Sequence, residues 1–165
     1  MRSTDAGQLQ ASDIRSDQYG IRTKVFVQGK PIKFEIVLEG RIALASPKKR
    51  DSIAGVATLT RLDMAASKLL ANSDRGLDMG MHCRDVIDLA MLNLSKTEFF
   101  EATTKSKQAY GEAILKDLTK VIDRLGEAGL LERCMKAMDI SVPRALLWQN
   151  ISKVKSFIAD GVPRE

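Results

Sequence analysis

The chain has 165 residues, 44% of them hydrophobic, and 26 Lys/Arg against 21 Asp/Glu give it a net charge of +5. That length and apolar content suffice to bury a core in one domain or two small ones, so the chain need not be disordered. No apolar run approaches the roughly eighteen residues of a membrane span, and the opening MRSTDAGQLQASD lacks the apolar stretch of a secretory leader, so a cytoplasmic protein without membrane contact is expected.

The charge is uneven. Residues 1–58 carry ten Lys/Arg against six Asp/Glu, and residues 59–165 carry sixteen against fifteen. A basic first third suits a polyanionic partner such as a nucleotide or RNA. Cys83 and Cys134 lie far apart, and His82 is the single histidine, so neither a disulfide framework nor a zinc site is expected.

In chain order, residues 1–18 are polar and aperiodic and read as a flexible lead-in. Residues 19–58 read as strands. IRTKVFV from Ile21 and IKFEIVL from Ile32 alternate, with QGKP as the turn between them. Ile32, Phe34, Ile36 and Leu38 share one face of the second strand, and Lys33, Glu35 and Val37 the other. RIAL after Gly40 and IAGVATL from Ile53 are further short strands, separated by the basic loop ASPKKRDS.

Residues 59–165 read as a helical domain. Thr60 and Asp63 form a capping pattern for a helix from about Arg61 to Ala71, which the linker NSDRGLDMG then breaks. Further helices are predicted at about Cys83–Leu94, Lys105–Leu125 and Gly129–Met138. A last one spans Pro143–Ile158, with Ser141 as cap. The class is α+β, strands first and helices after.

Five charged residues are candidates for chemistry. Glu35 projects from a strand, where carboxylates can hold a divalent metal, and Lys33 on the same face can pair with it or reach a nucleotide. Lys68 flanks the apolar stripe of its helix, from which it can snorkel or bind phosphate as a point charge. Asp85 and Asp88 are spaced i, i+3 on one helix face. Asp85 suits a first helical turn. Asp88, inside VIDLAML, needs a cation if buried, and Arg84 or Lys68 could supply it. His82 beside Cys83 has no third orienting group for nucleophilic catalysis. GxGxxG, GxxxxGK[ST] and GxSxG patterns are missing.

In order, the stretches SDQYGIRTKVFVQGKPIKFEIVLEGRIAL, LTRLDMAASKLLANSDR and HCRDVIDLAML resemble the AbiEii/AbiGii toxin family of nucleotidyltransferases, over about half the chain. The resemblance implies part of a mixed sheet of the DNA polymerase beta type, followed by a C-terminal helical domain. It implies transfer of a nucleoside monophosphate from an NTP, with Mg²⁺, to a tRNA or protein acceptor, and a cognate antitoxin. By the same resemblance Glu35 in IKFEIV binds metal, Lys68 in MAASKLLA holds the nucleotide, and Asp85 or Asp88 in RDVIDL is functional. The family's glycine turn and Asp-x-Asp pair have no counterpart in the first eighteen residues, so the resemblance implies an N-terminally shortened member, weak or inactive alone. The alternative is a non-catalytic remnant that binds nucleotide or a partner.

Overall fold

The computed structural model describes residues 10–161. Of the expected lead-in, residues 1–9 lie outside the described residues. The chain divides into two compact units, Met1–Gly40 and Arg41–Glu165. The class is α+β, with a small sheet followed by a helical C-terminal part.

The first unit is an antiparallel meander of β1 (Gln10–Asp17), β2 (Gly20–Val27) and β3 (Lys30–Val37). Strands β2 and β3 fall where alternation predicts them, but β1 occupies part of the expected lead-in. Its sequence QASDIRSD has no usable period because a bulge with Asp13 at φ 56° shifts its register against β2 between Ser12 and Arg15. Backbone pairing holds it there. The β2–β3 turn is Gln28–Gly29, whose φ values of 50° and 76° have the sign of a type I′ hairpin turn. At Gly20 a Cβ would stand 2.0 Å from the Ile36 carbonyl oxygen, so only glycine lets the two backbones approach.

Cross-strand pairing of Arg22 with Glu35 and of Lys24 with Lys33 makes one face charged. Val25 with Ile32 and Ile21 with Ile36 make the other face apolar, as the alternation predicts. Three strands cannot enclose that face, and Ile32, Phe34 and Ile36 are exposed.

The second unit begins at Arg41, earlier than the change from strands to helices near residue 59. RIAL is not a strand. Ile42 is buried in the helical core, and the Ala45 N–H donates to Asp63 Oδ2 at 2.8 Å, which ties this segment to the helices. IAGVATL contributes not one strand but two short ones, β4 (Ser52–Ile53) and β5 (Val56–Ala57), folded back at Ala54–Gly55 with φ of 51° and 80°.

The helices are α1 (Arg61–Arg75), α2 (Arg84–Met91), α3 (Lys96–Tyr110), α4 (Ala113–Leu125), α5 (Leu130–Ala137) and α6 (Arg144–Asp160). Thr60 caps α1 as predicted, accepting from the Asp63 N–H at 3.1 Å. The helix runs one turn beyond Ala71, because Asn72 turns inward and is buried. The single helix predicted for Lys105–Leu125 is two helices. A capping box, in which the Ser95 hydroxyl accepts from the Glu98 N–H and the Glu98 carboxylate from the Ser95 N–H, starts α3 earlier. Gly111, at φ 55°, then reverses the chain into α4. Pro143 is the residue before α6, which has no side-chain cap.

Helix α1 packs against α2, α3 and α4, and α2 also packs on α6. The core they share includes Leu69, Ile87, Phe99, Leu118, Ile122 and Leu147. Among the described residues, no helix is long and apolar enough to cross a membrane.

This core predicts a contrast in stability. Replacing Leu118, which is fully buried, by Ala should cost about 2–5 kcal/mol in urea denaturation, whereas Ile53→Ala, at an exposed position, should change stability by less than about 0.5 kcal/mol.

Candidate functional site

Helices α1 and α2 bring three of the candidates together. Lys68 and Arg75 stand seven residues apart on α1, two helical turns, so both face α2. On α2, Asp85 sits in the first turn and Asp88 one turn on. The Lys68 ammonium donates to Asp88 Oδ2 and reaches Asp85 Oδ1 at 3.5 Å. Arg75 donates Nε to Asp85 Oδ2 at 2.9 Å and Nη2 to Asp85 Oδ1 at 3.1 Å, a two-pronged clamp.

Burial separates the two aspartates. The Asp85 side chain is 2% exposed and Asp88 is 42% exposed, with Lys68 between them at 28%. Burial alone would push the Asp85 carboxyl up, but the Arg75 hydrogen bonds and charge, with Lys68 and Arg84 adding, hold it below its ordinary value. Arg75 is raised in return, first by its hydrogen bond to Asp85. Asp85 is therefore a fixed anion inside the fold that anchors both cations. Asp88 lies on the rim. With Lys68, Met64, Met91 and Leu92 it lines an open cavity of about 300 Å³. The Lys68 charge thus faces a space with apolar walls and one competing carboxylate.

Lys33 and Glu35 come together in the sheet unit. The Lys33 ammonium lies 2.9 Å from Glu35 Oε2, and Arg22 Nε lies 3.5 Å from Glu35 Oε1. Glu35 is thus neutralised by two cations on its own sheet face, which matches the surface-pair reading of Lys33. Among the described residues, no group of three or more His, Cys, Asp or Glu side chains is arranged to hold a metal ion. Glu35, Asp85 and Asp88 each bind a lysine or arginine.

One contributor escapes the sequence reading, and a second enters it only as part of a cap. Arg75 falls in NSDRG, taken there as linker, although its i+7 spacing from Lys68 carries the signal. The second is Asp63, fully buried, which binds Lys105 of α3, accepts from the Thr60 hydroxyl at 2.8 Å and accepts from the Ala45 N–H. Burial pushes its carboxyl up, and Lys105, Ala45 and Thr60 together carry it below the ordinary range.

No known protein family matches this chain, and neither a curated protein nor a solved structure does.

Both buried carboxylates are depressed below the ordinary 3.8. Each therefore adds stability that is complete above 3.8 and is lost as pH falls from there through the lower folded-state value. Acid titration of the unfolding free energy should fall across that window, and Asp63→Asn or Asp85→Asn should flatten it. At neutral pH Asp85→Asn should destabilise by about 3 kcal/mol, because Arg75 loses its counter-ion at a partly buried site.

Proposed function

We propose that the helical unit carries the phosphate-binding half of a nucleotidyltransferase site of the AbiEii/AbiGii type, with Lys68 as the cation that receives the triphosphate of an NTP. The observation that carries this reading is the Lys68 ammonium itself. It is anchored from behind by the buried Asp85, which Arg75 clamps, and it opens onto the cavity beside Asp88. A lysine fixed at its base and partly exposed at its tip is a preorganised point charge for phosphate. The order LTRLDMAASKLLANSDR then HCRDVIDLAML supports the same assignment by resemblance.

On this reading the roles divide. The triphosphate displaces Asp88 from Lys68, exchanging one carboxylate for a more highly charged ligand. Asp85 and Arg75 are positioning residues, since they act through Lys68. Freed of the lysine, Asp88 is an acceptor at the cavity rim, available to a hydroxyl of the nucleotide or of an incoming tRNA or protein. Magnesium would neutralise the triphosphate.

A second reading is favoured by the carboxylates all being paired: a module that binds the nucleotide, or a partner such as an antitoxin, without transferring it. Calorimetry with each NTP and Mg²⁺ tests what both share. Wild type should bind at least one NTP, Lys68→Ala should weaken it roughly 10- to 100-fold, and Asp88→Asn should bind as well or better. Equal binding by wild type and Lys68→Ala would sink the proposal. Incubation with labelled NTP and bulk RNA then separates the two readings, since label transferred to RNA supports the enzyme and binding without transfer supports the module.

A further inference from the structure

The two cysteines, remote in sequence, meet in the helical unit. Cys83 is the residue before α2 and Cys134 lies in the last turn of α5. Both are buried, and with Met79, His82, Leu130 and Arg133 they line a cavity of about 200 Å³. Each thiol perturbs the titration of the other. His82 and Cys83 take consecutive left-handed conformations, φ 52° and 51°, that side chains of this kind rarely adopt. The cysteine pair lines a different cavity from Lys68, and its chemistry is independent of what Lys68 binds.

We propose that Cys83 and Cys134 are a reversible redox pair, closed to an intrachain disulfide by a small-molecule disulfide that reaches the sulfurs through the cavity they share. Burial raises both thiols, Cys83 to about 11, with Cys134 adding to the rise. At Cys134, hydrogen bonding from Cys83 and the charges of Arg133 and Arg124 work against the rise, so Cys134 is the first nucleophile.

The Cys134 thiolate, its proton released to solvent, attacks one sulfur of the small disulfide. A protein mixed disulfide forms and one small thiolate leaves. Cys83 then gives up its proton, and its sulfur displaces the second small thiolate. The chain loses two protons and two electrons and gains one S–S bond, while the small disulfide is reduced to two thiols. The product ties the start of α2 to α5. Excess small thiol reverses it.

The full chain, equilibrated with glutathione and glutathione disulfide in native buffer and in concentrated urea, tests this. Peptide mass mapping reads the fraction joined through Cys83 and Cys134. A fold that holds the sulfurs together should raise their effective concentration roughly a hundredfold over the unfolded chain. Cys83→Ser and Cys134→Ser should stop at the mixed disulfide with glutathione. A native-to-urea ratio of one or less, or cross-links only between chains, overturns the proposal.

Discussion

A carboxylate with 2% of its side chain exposed cannot stay ionised in a protein interior without cations against it, and Asp85 is such a group. Its demand is met from one direction, by α1, through Arg75 on both oxygens and Lys68 on one. Apolar packing between two helices tolerates small slides, but a two-pronged guanidinium bond does not. The relative register of α1 and α2 is therefore set by charge geometry laid over a hydrophobic contact. Lys68 inherits its position from that register. With its back held by Asp85, its ammonium stays at the cavity rim instead of sweeping through solvent as a free lysine would.

The same logic operates at the other end of α1. Asp63 is fully buried and collects Lys105 from α3, the Thr60 hydroxyl and the Ala45 backbone N–H. One carboxylate thereby joins the irregular segment after Arg41, the N-terminal cap of α1, and α3. Helix α1 is thus pinned by an anion near its own start and by one contributed from α2 toward its end, with Leu69 and Leu70 buried between. Buried ion pairs of this kind add little net stability compared with apolar side chains of equal volume, yet they penalise every misaligned packing.

The sheet unit is built on different terms. Its β1 has almost no apolar residues, and β3 keeps Ile32, Phe34 and Ile36 exposed, so backbone pairing and tight turns at Gln28–Gly29 and Gly20 hold it in place of a core. Charges on its other face neutralise one another locally, which is why Glu35 is engaged by Lys33 and Arg22. A carboxylate on a strand is visible in any sequence. Whether it is spare is not.

Period and punctuation were enough for the sequence by itself to determine much of this protein. Strands β2 and β3 follow from rough alternation and the turn residues between them, the start of α1 from its cap and that of α2 from apolar spacing, and the need of Asp88 for a cation, Arg84 or Lys68, from its place in VIDLAML. Tertiary structure alone decided the rest. The bulge at Asp13 hides β1 from any period, and the break at Gly111 depends on α3 and α4 packing back on α1. Which aspartate is buried depends on which face of α2 meets α1, and a three-residue spacing puts Asp85 and Asp88 too nearly on the same face to separate them beforehand. Arg75 and the meeting of Cys83 with Cys134 arise from contacts between segments remote in the chain. Local sequence encodes the propensity of each element, but the partners of a charge or a thiol exist only once the helices have docked.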